Sequence, residues 1–539
     1  MFAQDAILLR PPSPDVAATW QGEFRTGTAG GTWLVVLLLC LGQVLLWTLA
    51  FGLTYQAPEP DSAEQLVWSF SMQNGYWKHP PLPTWLMRGL VTVFGASVAL
   101  PFAAAQLSIV VALALTWRLG CELMTPRRSL IAMVLTSLVT YHNIGGDSFN
   151  HSTVLLPFQA ATFLLFFKAT RSGKWRYWAL AGIFAGLSML VKYVALVPLA
   201  SLLVYFAVDR QLHQRREFIG ATIAMMAFAA VLTPHFLWLT ATDFMPLWYA
   251  RSVAHPLPDI QATTWSLFDF GVTQAERLLP LFAALWLVLS RRAAGVSPPL
   301  RVASLSQRNA LFLWTIGFAP LALTLAIGLF TQTELQGRWG TNLFMMSGWL
   351  ALAASDRADT PKMLNRALFL TFGIQLLLCL GMTLSKTVVA DQLRVRTRAN
   401  FPAAALAREA QAAWSANMQV PMRVVIADTW LGGSLIAAHG EPLAVLIDGQ
   451  PEKSPWIAAD TVRHCGALVL VDRSIDTAAS EEQRPALTAY MALASVSGTW
   501  TLPWNGTRRS TDETPRGSVQ WGIIRPESGE DCSLPAALP

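Results

Sequence analysis

Long apolar runs dominate the chain. They recur at residues 32–54, 98–120, 128–143, 151–169, 177–191, 193–208, 217–240, 276–290, 309–330, 341–355 and 366–387. Each is near the ~20 residues that a bilayer's hydrocarbon core asks of a helix, and several are shorter. Backbone groups in lipid must pair within their own segment, so the runs predict helices. A β-barrel is excluded, because barrel strands alternate apolar and polar positions and these runs do not. The pattern predicts about eleven transmembrane helices.

The polar stretches between the runs are of two kinds, in alternation. One kind is basic: Arg118, Arg127 and Arg128; Lys168, Arg171, Lys174 and Arg176; Arg210, Arg215 and Arg216; Arg291, Arg292, Arg301 and Arg308; Arg357, Lys362 and Arg366. Short basic loops mark the cytoplasmic side. The N-terminal segment 1–31 is therefore expected inside, and everything after the last run outside. The first run is too long for a signal peptide and no cleavage site follows it, so it reads as a helix that stays. The opposite loops, 55–97, 142–150, 241–275 and 331–340, carry Asp, Glu, His and aromatics. In the first of them, helix-period apolar positions around 64–72 and 83–94 predict amphipathic helices on the bilayer surface.

Beyond residue 388 the patterning becomes that of a soluble domain. Strand-like runs at 422–427, 443–447, 467–471 and 519–524, with an Ala-rich helix at 402–415, predict a small α/β domain over 388–539. Its tail, 526–539, is expected to lack order. The fold class is an α-helical polytopic membrane protein with its membrane domain over 32–387 and a periplasmic α/β domain behind it.

Composition sharpens this picture at three points. The 539 residues are 53% hydrophobic and only 13% charged, against about 25% charged in a soluble domain. The 22 Trp suit membrane interfaces. The net charge of +6 does not signal nucleic acid, since the bases are spread over short loops and form no single patch. Cys465 and Cys532 both fall in the region placed outside, where a disulfide is open to them.

Candidate chemistry concentrates in the first outer loop, PEPDSAEQLVWSFSMQNGYWKHPPLPTWL, residues 58–86. Asp61 and Glu64 are three apart and share one helix face. Carboxylates beside apolar helices rise in pKa and serve as bases. Tyr76, Trp77, Lys78 and His79 then precede two prolines, a rigid cationic element suited to a phosphate oxygen. Lys192 sits between two apolar runs, where an ionisable group is costly and marks function unless it snorkels to the interface. Arg338 is a lone base in an outer loop, with Glu334 as its alternative ion-pair partner. Asn150, His151 and Tyr193 are placed to line the same cavity, and Asp243, Arg251 and His255 belong to a loop that covers it. His235, after Pro234, reads as structural. His79, His151 and His255 lack the short spacing of a zinc site. Asp428 to Gly433, DTWLGG, is only a fragment of a nucleotide-binding turn, and the membrane region has none.

The ordered set of motifs resembles a known family. An acidic pair in the first outer loop, then "HPPL", is similar to the protein O-mannosyltransferase-like and aminoarabinose-transferase-like membrane glycosyltransferases of the GT-C class. The similarity continues in GGDSFNHS at 145–152, in the "GL…KY" of 178–205, and in TPHFLWL at 233–239. The resemblance implies a bacterial inner-membrane enzyme that takes a sugar from a polyprenyl-phosphate donor, usually undecaprenyl phosphate, at the periplasmic face. The acceptor would be a lipid, a glycan or a protein hydroxyl. It implies a first-loop carboxylate as general base, Asp61 or Glu64, with Asp147 or Asn150 at the second acidic place. The carrier phosphate would fall to Lys78 or His79, with Lys192 and Arg338. Some members use a divalent cation, so a metal is left open. A transporter or lipid-linked-sugar flippase is the competing class, opposed by ionisable residues that gather in the outer loops and not in helix middles.

Overall fold

The computed structural model describes residues 28–290, 305–357, 359–441, 443–458, 460–474, 485–504, 515–527, 532 and 534. Most of the expected inner N-terminal segment, the bases Arg291, Arg292 and Arg301, and most of the 526–539 tail lie outside the described residues.

Helices run α1 (Thr28–Thr54), α2 (Pro60–Trp68), α3 (Leu82–Phe94), α4 (Ala99–Leu123), α5 (Pro126–Thr136), α6 (His151–Ser172), α7 (Trp175–Val191), α8 (Leu196–Val208), α9 (Arg215–Ala241), α10 (Met245–Ser252), α11 (Ile260–Leu289), α12 (Gln307–Thr331), α13 (Ser347–Ala353) and α14 (Pro361–Leu384). Among the described residues, seven helices are long and apolar enough to cross a membrane. They hold seven of the eleven runs expected from the sequence. The other four are helical but short: α5 has 11 residues, α7 17, α8 13 and α13 7. Their ends pass into 3₁₀ turns at Thr140–His142, Tyr193–Ala195 and Gly337–Asn342. Non-helical backbone is tolerated at such depth where protein surrounds it, and α5 and α13 are buried inside the bundle against each other.

Lipid-facing surface is visible as exposed apolar side chains on α1, α9, α11 and α14, such as Leu53, Leu237, Trp286 and Phe369. Helices α7 and α9 pack closely because Gly182 and Gly186 lie where a Cβ would strike the α9 backbone at Ala224 and the Val231 side chain. Small residues four apart let two helix backbones approach in this way.

The C-terminal part holds helix α15 (Ala403–Asn417), strand β1 (Val424–Ala427), helix α16 (Thr429–His439), and strands β2 (Ala444–Ile447), β3 (Ala467–Asp472), β4 (Val496–Pro503) and β5 (Arg516–Ile524). The sheet order is β2-β1-β3-β5-β4; the first three strands are parallel, and β5 joins antiparallel. Strand β4 was not anticipated: its Gly498 and Pro503 weaken the strand signal, and only its edge position tolerates them. Cys465 and Cys532 form a disulfide.

One expectation fails in the first outer loop. Helix α2 does not lie on a bilayer surface: Ser62 to Trp68 are all buried, and its partner is α16 of the C-terminal part. Gly433 makes this contact possible, since a Cβ there would meet the Ala63 backbone. Gly432 packs on Val445, and the Asp428 carboxylate accepts from the Trp430 and Leu431 amides as an N-cap. The DTWLGG stretch is thus spent on helix capping and packing.

Candidate active site

Helix α2 begins at Pro60, and its first turn places Asp61 at the edge of the buried layer, half exposed. One turn on, Glu64 is only 5% exposed. The two carboxylates share a face as expected, but they are held differently. Glu64 is bound by Lys78, with Nζ 2.6 Å from Oε2. Asp61 has no hydrogen-bond or ion-pair partner among the described residues.

The Lys78 side of that pair is built by a tight turn. Tyr76 and His79 exchange backbone hydrogen bonds of 3.0 and 3.1 Å, which puts Trp77 and Lys78 at the tip. Pro81 then starts α3. The Lys78 ammonium lies 4.7 Å from the Trp77 ring centre and 5.5 Å from that of Tyr249 on α10. Burial pushes the Glu64 carboxyl up to about 7; Lys78 opposes the rise and Asp61 adds to it. Burial works to lower Lys78, but Glu64 more than offsets it and the ammonium is held above its usual value.

His79 is of another kind. Its ring lies 4.0 Å from that of His151, centre to centre. Burial, with His151 and Lys192 adding, keeps its pKa well below the usual range, so the ring is neutral. The sequence left the phosphate role open between Lys78 and His79. Neither presents a free cation here: one is tied to Glu64 and the other is uncharged. Tyr76 stacks on Trp68 at 4.8 Å and 3°, and its hydroxyl donates to the Ser71 carbonyl.

The other motifs converge on this turn. Lys192 ends α7 in extended backbone and donates to Ser152 Oγ at 2.8 Å. Asn150 caps α6 through its side-chain oxygen, accepting from the Ser152 and Thr153 amides. Tyr193, His235 and Asn74 form a chain. The Asn74 carbonyl can only accept, so His235 Nδ1 donates to it at 2.6 Å, and Nε2 accepts from the Tyr193 hydroxyl at 2.9 Å. A Cβ on Gly75 would collide with the Trp238 ring, so glycine lets α9 close on the turn. Arg338 is exposed and donates to Gln336, not Glu334. Asp61, Lys192 and Arg338 lie within electrostatic reach of one another around Lys192.

Asp147 sits apart from this group. It accepts from the Tyr55 hydroxyl at 2.7 Å and lies in the field of Lys386 and Arg277. Its neighbour is Glu59, whose carboxyl burial and Asp147 push up to about 7 against Lys386 and Arg398. In the covering loop, Tyr249 packs on Trp77 at 5.1 Å, and Glu334 donates its amide to the His255 carbonyl.

The chain is similar to known proteins over most of its length. The profile of the dolichyl-phosphate-mannose-protein mannosyltransferase family matches residues 78–238. The chain is 24% identical over 495 residues to the lipopolysaccharide core galacturonosyltransferase RgtA of Rhizobium johnstonii, covering 87% of this chain and 93% of RgtA. Its fold matches that of ArnT from Cupriavidus metallidurans bound to undecaprenyl phosphate, with a TM-score of 0.59 at 12% identity, over 93% of this chain and 100% of ArnT. Apo ArnT matches with a TM-score of 0.58 at 14% identity.

The chain has the ArnT fold.

Within this fold, sequence reasoning missed Glu59, Tyr55 and Lys386. Glu59 lay in the quoted stretch, two residues before Asp61, and its acidic neighbour was the available signal. Tyr55 and Lys386 carried none, because their meeting depends on α14 returning beside α1. Among the described residues, no group of three or more His, Cys, Asp and Glu is placed to hold a metal ion.

Proposed function

We propose that this chain is a GT-C glycosyltransferase, which transfers a sugar from a polyprenyl-phosphate donor to a hydroxyl of a lipid or glycan acceptor, at the periplasmic face of a bacterial inner membrane. The single observation that carries the reading is the contrast within α2: Asp61 is half exposed and unpaired, one turn from Glu64, which Lys78 holds. A general base needs open lone pairs within reach of the proton it takes. Asp61 has them.

In the proposed step the acceptor hydroxyl gives its proton to Asp61. Its oxygen bonds to the sugar C1, the bond from C1 to the phosphate oxygen breaks, and polyprenyl phosphate leaves with the electron pair. One displacement inverts C1. Lys192 and Arg338 are the bases placed to meet the growing phosphate charge. Lys78 acts at one remove, by holding Glu64 in place. His79, His151, Tyr76, Tyr193 and Asn150 shape the wall. The Asp147–Glu59 pair is a second acidic centre beside Tyr55. Undecaprenyl phosphate bound to ArnT supports the donor class, and the activity in RgtA's name supports a lipopolysaccharide-type acceptor.

The experiment uses purified protein in vesicles with a labelled polyprenyl-phosphate sugar and crude glycolipid acceptor. The proposal expects release of free polyprenyl phosphate together with labelled glycolipid. Movement of intact donor between leaflets without release would make the protein a flippase. Orientation is checked separately: a reporter after Ala390 should read periplasmic and one within Arg210–Arg216 cytoplasmic.

A further inference from the structure

The basic loops were used above only to orient the chain, yet two of them build a groove. Helices α7 and α9 run parallel, with Gly220 against Trp178 at one end, Gly182 against Ala224 in the middle and Gly186 against Val231 beyond. Both helices therefore start at the same end of the bundle, and both present their positive N-terminal poles there. Lys174, the residue before α7, offers no side-chain cap, so the first amides of α7 are open.

Around these helix starts lies a groove of about 500 Å³, lined by Lys174, Trp175, Arg176, Trp178, Arg216 and Ile219 among others. Its rim is basic and its floor is apolar. Lys174 and Arg176 are exposed, and neither pairs with a carboxylate among the described residues. Arg176 stacks over Tyr177 at 5.0 Å. Arg216 crosses Gly173, a left-handed position (φ 61°) where a Cβ would strike its guanidinium. It is 61% exposed, although it also reaches Glu217 at 2.6 Å. At the floor, Trp178 is 2% exposed and packs its indole edge on Gly220 of α9. Trp175, by contrast, projects outward, 69% exposed, as tryptophans do at a headgroup boundary.

We infer that this groove is a binding site for the phosphate headgroup of an anionic phospholipid in the leaflet opposite the proposed active site. Two bare cations, a third that is partly neutralised and two helix poles all favour a phosphodiester. The apolar wall from Ile219 and Ile223, open along the bundle side, suits acyl chains and not a free ion. The inference does not depend on which sugar is moved, or on transfer at all.

The test measures retention and exchange of phosphatidylglycerol by native mass spectrometry of the full chain, with phosphatidylcholine as the neutral control. Wild type should hold about one phosphatidylglycerol in preference to phosphatidylcholine. Lys174→Gln/Arg176→Gln should weaken this about thirtyfold, at about fivefold for each base near a membrane surface. Lys362→Gln/Arg366→Gln removes equal charge from the same face outside the groove and should change retention less than threefold. Equal losses in the two double variants would reduce the effect to general surface charge and overturn the site. Displacement of the lipid by millimolar inorganic phosphate would make it a soluble-anion site, and that too would overturn the lipid reading.

Discussion

Bases gather at both ends of the helical bundle, and the two gatherings differ in what stands between them. At the end with the candidate active site, Lys78, Lys192 and Arg338 are interleaved with Asp61, Glu64 and, further off, Glu59 and Asp147. Glu64 is buried and all the others but Arg338 are half-buried, so each charge shifts the state of the next. At the other end Lys174, Arg176 and Arg216 meet a single carboxylate, Glu217, and two of the three are bare to solvent. Interleaving makes a place where a proton can be taken and a charge can leave. Bases alone make a place where a standing anion rests.

The comparison breaks most sharply at Asp61. Asp61→Asn keeps the shape of α2 and removes only the proton acceptor. Transfer should fall at least a hundredfold, in line with the ~10²–10⁴ that a general base contributes. Donor binding, measured by lipid retention, should stay within a few-fold. A similar rate in the variant would leave the outer cluster no more reactive than the inner one.

Next comes the phosphate end. Lys192→Ala removes a charge-assisted hydrogen bond worth roughly 1.5–3 kcal/mol. The donor KM or kcat should worsen about ten- to hundredfold in a titration of labelled donor. Lys174→Gln at the opposite end of the bundle should leave both constants unchanged.

The third prediction concerns pH. Burial raises the folded-state pKa of Glu64 to about 7 from its ordinary 4.5. A carboxyl raised on folding favours the native state while it is protonated, and that support is lost as pH climbs through the folded value. Wild type should therefore lose about 3 kcal/mol from this group between about pH 4.5 and 7. Thermal unfolding of wild type and Glu64→Gln at several pH values checks this: the slope should flatten in the variant. An unchanged slope would mean that Lys78 fully offsets the burial.

The smallest effect is expected at Tyr193→Phe. It deletes the hydroxyl that His235 accepts from and should cost about 1 kcal/mol in thermal unfolding. A loss of several kcal/mol would show that the Asn74–His235–Tyr193 chain holds more than the turn.

What was legible in the sequence follows from how far apart the partners are. Asp61, Glu64, Lys78 and His79 stood in one stretch, and one helix turn with one proline turn sufficed to bring them together. Lys192 stood out because a charge interrupts two apolar runs. His235 was read as structural, and its two hydrogen bonds are of that kind. The Glu64–Lys78 pairing was hidden, although the residues were named, since nothing in local spacing says which of two carboxylates a lysine takes. The burial of α2 was missed for a similar reason. It rests on Trp430 donating to the Pro58 carbonyl and on Gly433 meeting Ala63, contacts made across more than 360 positions. The groove at the N-terminal ends of α7 and α9 was present as charge but not as shape, because its walls come from two loops.

The most direct test of the central claim compares Asp61→Asn and Glu64→Gln in one single-turnover transfer assay with preloaded donor. Asp61 is open and Glu64 is held by Lys78, so Asp61→Asn should lose at least a hundredfold while Glu64→Gln stays within about tenfold. The reverse order, with Glu64→Gln inactive and Asp61→Asn near wild type, would contradict the account and move the base one turn along α2.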